Sequence, residues 1–424
     1  MPIIVIDPGH GGENRGGEYG EFVEKEINPI VAQAMKEHLE KFEDVTVYLT
    51  HEVDMDMTIK DRVAFAKEKN ADFLYCLHFN LSVNHNLYGA EVWVPSRGEL
   101  YSRGFAFAEI EMQELTDMGL FSRGIKTRLN DRGTDYYGIL RYSAEMDVPC
   151  ALIEHCHLDH AKDAFAVADG EESLNALGIR DAEAVAKYFG LKSEELGVDY
   201  SGYPVSQIPV PADIARPDET EPEVNEIELT AIDSETGMAT IRMTASDSDS
   251  YIQYYAVSTD GGNTYSELLE WPRPEQWDVS AAEHTFTFQL PFDTAVELRT
   301  MAYNEYDKFT ESNTIEAGTI EDPERLRQEM QQQKAEELLD KQQTYTEVTA
   351  EAFASHADPV APAKSSGYSI GIMVAIAGIV LLILILLMVL IRNLRGLLRH
   401  KKQNKYGLDQ LMQQINRNGQ SRIF

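Results

Sequence analysis

Cysteine is scarce in this sequence, which has only Cys76, Cys150 and Cys156 among its 424 residues. Three cysteines cannot make a disulfide framework, and they do not indicate on which side of a membrane the chain lies. A chain of this length is too long for one ordinary hydrophobic core. We therefore expect two or more domains without disulfide bridges to hold them.

Positive charge is also scarce, with 37 Lys and Arg against 71 Asp and Glu and a net charge of −34. Nucleic acid is excluded as a partner on this ground, because its phosphates would be repelled. The exception is the C-terminal tail, 392–424, which has eight Lys or Arg and one Asp. Its net charge of +7 leaves −41 for the rest of the chain.

Long apolar runs are missing except at 370–391, where 22 uncharged and almost wholly apolar residues follow one another. A helix of this length crosses a hydrocarbon core of about 30 Å, whereas a buried core helix rarely lacks polar residues on every face. The run predicts one transmembrane helix, at 369–391. By the positive-inside rule the basic tail is then cytoplasmic and the acidic part lies outside, which makes this a single-pass protein of the cell membrane.

A secretory signal is not visible in the opening residues MPIIVIDPGH, which lack a basic segment followed by an apolar one. Either the natural start lies upstream, or the single span translocates a long N-terminal segment. We favour a missing leader. An N-terminal domain retained in the cytoplasm would place the basic tail on the wrong side of the membrane.

Residues 1–192 alternate short apolar runs with helical patterns, which predicts an α/β domain with a mostly parallel twisted sheet flanked by helices. One helix is expected near 27–39, and a second begins at Thr58 and Asp61, which are spaced as a capping pair. The predicted strands are PIIVID (2–7), VTVYLT (45–50), FLYCLH (73–78), AEVWV (90–94) and CALIE (150–154).

The rest of the chain divides by composition. Short β-type runs separated by turn signals predict an all-β sandwich that resembles immunoglobulin or fibronectin III modules, with a spacer or wall-binding role. A polar segment rich in helix formers predicts a helical stalk, with a membrane-proximal coiled coil as the alternative. The predicted parts are a Pro-rich linker (193–225), the sandwich (226–320), the stalk (321–345) and a second linker (346–368) before the span.

Four polar residues follow or flank the predicted strands of the α/β domain. His10 follows the first strand, His78 and Glu154 end two others, and Glu24 lies at the start of the first helix. Because functional groups gather at the carboxyl edge of a parallel sheet, we expect all four at one rim. Two imidazoles and a carboxylate are a common catalytic zinc set that leaves the fourth position for water. One such residue alone is usually an ordinary polar side chain, but four at one rim have no structural need for each other.

The motifs DPGHGG (7–12), VEKEIN (23–28), LHFN (77–80) and ALIEH (151–155) occur in the order and spacing of a known family. Over residues 3 to about 190 the chain resembles the zinc-dependent N-acetylmuramoyl-L-alanine amidases, the type 3 amidase family of cell-wall hydrolases. The resemblance implies that His10, Glu24 and His78 hold Zn²⁺ and that Glu154 is the catalytic carboxylate. The glycines beside His10 would give its loop room to present the imidazole to the metal.

The chain departs from the family pattern after Glu154, where the family usually has a small residue and then an aromatic one, whereas this chain has His155, Cys156, His157 and, further on, His160. They could crowd the rim, support a ligand or shape substrate binding, or be local loop variation. Cys76 and Cys156 could face the site by strand alternation, although a cysteine ligand would make it a closed structural site. Asp7 is a candidate hydrogen-bond partner for a ligating imidazole.

The resemblance implies a membrane-anchored peptidoglycan hydrolase. Zinc-activated water would cleave the amide bond between N-acetylmuramic acid and the L-alanine of the stem peptide. Two alternatives stay open, a catalytically silent wall-binding receptor that signals through the basic tail and a zinc peptidase that acts on the stem peptide. The need for an activator, the stem-peptide preference, the oligomeric state and the contacts of the tail do not follow from the sequence.

Overall fold

The computed structural model describes residues 1–273 and 280–355. Met1–Leu326 form one compact unit that contains both the α/β region and a β-sheet region. Within the described ranges no helix is long and apolar enough to cross a membrane. The predicted span at 369–391, its basic tail and most of the preceding linker lie outside these ranges.

The α/β region contains a central sheet of six strands in the order β4-β1-β5-β8-β6-β7. All neighbouring pairs are parallel except β6 and β8, which are antiparallel, so the predicted mostly parallel sheet is confirmed. The strands of this region are β1 (Ile3–Pro8), β2 (Glu18–Tyr19), β3 (Phe22–Val23), β4 (Thr46–Leu49), β5 (Phe73–Asn80), β6 (Ala90–Trp93), β7 (Ser122–Lys126), β8 (Cys150–His157), β9 (Lys192–Ser193) and β10 (Val198–Asp199).

Helices cover both faces of this sheet. The strands are buried on both sides because their alternate residues enter two separate cores, as Ile4 and Ile6 do on one face and Val5 on the other. Residues of α1, α3 and α5 enter the first core, and residues of α2 and α4 enter the second. The helices are α1 (Glu24–Leu39), α2 (Ile59–Glu68), α3 (Gly98–Asp117), α4 (Gly138–Met146) and α5 (Glu171–Phe189).

The two helices expected from the sequence are confirmed. The Thr58 hydroxyl accepts a hydrogen bond from the Asp61 backbone N–H at 3.2 Å, as the predicted capping pair requires. Helix α1 begins earlier than its apolar pattern, at Glu24 itself. This position puts a carboxylate in the first turn, where the helix dipole favours negative charge.

The later strands form two sheets that share one hydrophobic core, so they make a sandwich. One sheet has the order β11-β12-β15, and the other has the order β14-β13-β16-β17 with β18 also paired to β16. The likeness to immunoglobulin or fibronectin III modules stays a prediction. The strands are β11 (Val224–Asp233), β12 (Met238–Ser246), β13 (Ile252–Ser258), β14 (Leu269–Glu270), β15 (Glu283–Gln289), β16 (Ala295–Asn304), β17 (Phe309–Glu311) and β18 (Ile315–Thr319).

The Pro-rich segment before the sandwich lies along the α/β region. The Ser102 hydroxyl donates to the Pro209 carbonyl at 3.2 Å, and the Thr127 hydroxyl donates to the Ala215 carbonyl at 2.8 Å. After the sandwich a long helix, α6 (Pro323–Ser355), continues past the predicted end of the stalk at 345. The side chains of 327–349 are exposed and mostly polar, which agrees with the helix-forming composition seen in the sequence.

Candidate metal centre

His10 lies in the loop that follows β1, and the backbone there is unusual. Its φ of +69° is in the left-handed region, which costs a non-glycine residue energy unless the surroundings hold it. The Arg62 guanidinium supplies that support, because it donates to the carbonyls of Pro8 and His10 and to the Asp7 carboxylate. Loop geometry, rather than the strand itself, therefore aims the His10 ring.

The glycine at position 9 allows the two imidazoles to approach each other. A Cβ at Gly9 would lie 2.3 Å from the His78 ring, which no side chain could tolerate without displacing that ring. The rings of His10 and His78 stand edge to face with their centroids 4.8 Å apart. The DPGHGG motif thus contributes close packing at Gly9 as well as the histidine.

Glu24 joins the two imidazoles from the start of α1. Its carboxylate oxygens lie 3.1 Å from His10 Nε2 and 2.8 Å from His78 Nδ1. The same carboxylate accepts the backbone N–H groups of Gly17 at 2.7 Å and Phe79 at 3.0 Å. Burial alone would raise the pKa of Glu24, but the hydrogen bonds and charges of the two histidines hold that pKa well below its usual range.

The His10 ring is oriented by Asn14. The Nδ1 atom of His10 donates to the Asn14 side-chain oxygen at 3.0 Å, which leaves Nε2 facing the Glu24 carboxylate at 3.1 Å. Burial lowers the pKa of His10, and the hydrogen bond and charge of Glu24 raise it to a value above the ordinary one. A cation at this point would replace the proton that Glu24 now favours.

Glu154 stands beside this group on the neighbouring strand. In the parallel register of β5 and β8 it pairs with His78, and across the antiparallel pair of β8 and β6 it faces Glu91. Its side chain is buried, and Oε2 has no hydrogen-bond partner in the described part of the chain. Burial, with the charges of Glu24 and Glu91, raises the pKa of Glu154 well above that of an ordinary carboxyl.

The structure brings three of the four predicted residues into one potential ligand set. One ligand atom from each of His10, Glu24 and His78 lies within 4.8 Å of the others. Two imidazoles and one carboxylate are donors that zinc prefers, and three protein ligands leave an open position. Glu154 lies next to this set with an unpaired oxygen, so the residues present fit a catalytic zinc ion better than a structural one.

Residues near the centre that the sequence left open now have contacts. The Asp7 carboxylate accepts hydrogen bonds from Arg62, Thr50 and Cys76 instead of from a ligating imidazole. The hydrogen-bond partner of the His10 imidazole is Asn14 and not Asp7. His155 is buried behind the site, where its ring contacts the His78 carbonyl and the Asp181 carboxylate. Cys156 and His157 are buried, and neither belongs to the ligand set.

The sequence did not predict a cluster of buried charged residues that lies beside Glu154. Glu91 accepts from Arg123 at 3.1 Å and from Lys126 at 2.9 Å, and all three side chains are almost fully buried. Burial raises the pKa of Glu91, but the two cations hold that pKa well below its usual range. The only signal in the sequence was a pair of basic residues in an otherwise strand-like stretch, at 122–126.

Comparison with known proteins places this site in a family. The model of the N-acetylmuramoyl-L-alanine amidase family matches residues 4–187. The sporulation-specific N-acetylmuramoyl-L-alanine amidase of Bacillus subtilis (strain 168) is 33% identical over 194 residues, which are 45% of this chain and 70% of that protein. The chain belongs to the N-acetylmuramoyl-L-alanine amidase family.

Other similar proteins cover a similar fraction of this chain. The endolysin of Bacillus phage SPP1 is 25% identical over 195 residues, which cover 46% of this chain and 69% of that protein. Among solved structures, the catalytic domain of CwlV, an N-acetylmuramoyl-L-alanine amidase from Bacillus(Paenibacillus) polymyxa var.colistinus, is 27% identical with a TM-score of 0.38. That match covers 45% of this chain and all of the CwlV domain. The family match ends at residue 187, before the sandwich begins.

Proposed function

We propose that this amidase hydrolyses peptidoglycan at the amide bond between N-acetylmuramic acid and the L-alanine of the stem peptide. Family membership supports the bond and substrate class. The observation that carries the proposal is the cluster of His10, Glu24 and His78 beside a buried carboxyl, Glu154, with an unpaired oxygen. Such a set provides a metal position and a proton-transfer group within one rim.

The three clustered residues would hold zinc, which when bound lowers the pKa of a water molecule to about 7 and polarises the scissile carbonyl. Glu24 contributes the negative charge of the ligand set and is kept ionised by its two histidines. Asn14 holds the His10 ring so that Nε2 faces the cluster. Arg62 holds the loop that carries His10, through the carbonyls on either side of Gly9.

Glu154 would transfer the proton. Its oxygen without a hydrogen-bond partner can accept the proton of the attacking water and return it to the amine of L-alanine as the C–N bond breaks. One buried carboxyl can therefore serve first as base and then as acid.

The test separates metal binding from chemistry. Glu154→Gln keeps the size of the side chain and removes its basicity, so zinc content by elemental analysis should stay near that of the unmodified protein. Cleavage of purified peptidoglycan should fall by a factor of about 10² to 10⁴, the usual worth of a positioned acid–base group. His78→Ala is the matched comparison, because it should lose metal and activity together.

Two results would contradict these roles. Loss of zinc by Glu154→Gln would make Glu154 a ligand, and full activity of that variant would place the base elsewhere, with His155 and His157 tested next. Product analysis also separates the alternative functions. New N-terminal L-alanine marks the amidase, other new amines mark a stem-peptide peptidase, and the absence of products marks a silent receptor.

Membrane anchoring is part of the same proposal. The apolar run at 370–391 and the basic tail after it support one span with the amidase outside and the tail in the cytoplasm. An anchor of this kind would keep the metal centre close to the inner surface of the wall.

A further inference from the structure

A polar cleft of about 430 Å³ lies between the α/β region and the sandwich. The α/β region contributes Asn80, Lys126 and Arg128 to its lining, while the turn between β16 and β17 contributes Asp307 and Lys308. The family match ends at residue 187, so one wall of this cleft comes from a part of the chain outside the family domain. The sandwich is therefore more than a spacer, because it completes a cavity.

One ion pair with a buried guanidinium joins the two walls. Arg123 donates to Glu91 on its own side at 3.1 Å and to Asp307 of the sandwich turn at 2.7 Å. Gln253 of β13 donates to the other oxygen of Asp307 at 3.1 Å. Breaking one partner of a buried pair leaves the other charge uncompensated, which is why such contacts favour a single geometry. The position of the turn beside the α/β region is thus well defined.

The cleft continues from the metal centre. Tyr137 lines both this cleft and the cavity that contains His10 and His78. Asn80 follows His78 by two residues in β5, which is about 7 Å along a strand and keeps both side chains on one face. An extended peptide advances about 3.3 to 3.6 Å per residue. A stem peptide cleaved at its first residue would therefore reach the cleft with its second or third residue.

Two basic side chains in this cleft are available to a ligand. Arg128 and Lys308 are exposed on opposite walls, and neither forms an ion pair with a carboxylate of the described residues. Arg128 is held over the Tyr136 ring, 3.8 Å from its centroid. Asp307 is already paired with Arg123. Glu219 is an exposed carboxylate in the lining, and Asp218 is a buried one held by Thr220, Ser250 and Asn304, so carboxylates and basic side chains are equal in number in this lining.

We propose that this cleft binds a carboxylate of the stem peptide, one or two residues beyond the cleaved bond, between Arg128 of the amidase domain and Lys308 of the sandwich. This inference rests on the proposed function, since it assumes that the stem peptide leaves the metal centre along β5. Charge-assisted hydrogen bonds from a guanidinium and an ammonium are the contacts that a carboxylate prefers. The sandwich turn would then help to determine which stem peptides the enzyme accepts.

The experiment uses the full chain and two forms of a synthetic stem peptide, with its carboxyl groups free or converted to carboxamides. Neither form contains the bond to N-acetylmuramic acid, so both act only as competitors of dye-labelled peptidoglycan. The free acid should inhibit about tenfold more strongly than the amide. Lys308→Ala and Arg128→Ala should each weaken inhibition by the acid about three- to fivefold, as exposed ion pairs do, and leave inhibition by the amide unchanged.

Controls make the result specific to the cleft. Lys67→Ala removes an exposed lysine on α2, outside the cleft lining, and should match the unmodified protein. Lys308→Arg should restore the preference for the acid, and Lys308→Glu should abolish it. For peptidoglycan itself, Lys308→Ala should raise KM with kcat unchanged, because the contact lies away from the reacting atoms.

The outcomes distinguish this inference from the proposed function. If the unmodified protein does not hydrolyse peptidoglycan, the proposed function fails. If it hydrolyses peptidoglycan but the acid and the amide inhibit equally or not at all, the cleft does not take a carboxylate. An unchanged preference in Lys308→Ala would likewise overturn the role of the sandwich turn while leaving the amidase activity intact.

Discussion

Gly124 of β7 is a point of close approach between the sandwich and the α/β region, so Gly124→Ala tests the interface directly. A Cβ at this position would lie 2.0 Å from a carboxylate oxygen of Glu305 and 2.4 Å from the Tyr251 hydroxyl. The backbone φ is +98°, which side chains rarely adopt. Burial raises the pKa of Glu305 to about 8, against the opposing charges of Lys126 and Arg273, so this packed carboxyl is mostly neutral near pH 7.

The expected loss in free energy of unfolding has two parts. The positive φ costs an alanine about 1 to 2 kcal/mol. Overpacking against buried atoms adds about 1 to 3 kcal/mol, because Glu305 has little room to move. We therefore expect Gly124→Ala to lower the free energy of unfolding by about 2 to 5 kcal/mol, measured by urea denaturation.

Gly133→Ala is the matched control. Gly133 also has a positive φ, +70°, but nothing lies within 4 Å of the position that its Cβ would occupy. This variant should pay only the backbone cost of about 1 to 2 kcal/mol. Equal destabilisation by the two substitutions would refute the claim that close packing with the sandwich is responsible. The double variant Gly124→Ala/Glu305→Ala should lose less than the sum of its single effects, because the overlapping carboxyl is gone.

Two further predictions concern the ligand set and the topology. Glu24→Ala should strongly reduce zinc retention, measured by elemental analysis, whereas Glu26→Ala should not. The reason is that Glu24 is buried against both histidines and Glu26 is exposed. Zinc loss in Glu26→Ala alone would show that Glu26, and not Glu24, is the ligand. Protease added to intact, wall-stripped cells should digest everything before the predicted span at 369–391, and protection of the amidase domain would reverse the proposed orientation.

Local patterns predicted much of the α/β region. The strands that carry His78 and Glu154, and the strand that precedes His10, were recognisable as apolar runs, because a buried parallel strand needs apolar residues on both faces. Parallel pairing then brings the carboxyl ends of those strands to one edge, which is why a rim could be predicted without coordinates. Glu24 was assigned to the helix start, although the apolar pattern suggested that α1 began later.

The antiparallel strand β6 was not predicted as such, and neither was the neighbour it gives to Glu154. An apolar run such as 90–94 has the same composition in either orientation, so the run alone does not tell that Glu91 faces Glu154. The Asn14 contact to His10 was missed because it depends on the left-handed turn at His10, a loop conformation that periodicity does not describe. Asp7 was the more obvious hydrogen-bond partner for the imidazole, but its carboxylate forms an ion pair with Arg62.

By itself the sequence determined five strands and two helices of the α/β region, the residue types at the rim and the family to which the amidase domain belongs. These follow from interactions within a few residues, namely strand alternation, helix periodicity and short motifs. Only the tertiary structure decided that the sandwich completes a cleft beside the metal centre. That outcome depends on Arg123 meeting Asp307, and the two residues are 184 positions apart in the chain. A contact over such a separation is set by the packing of two folded surfaces and leaves no local pattern in the sequence.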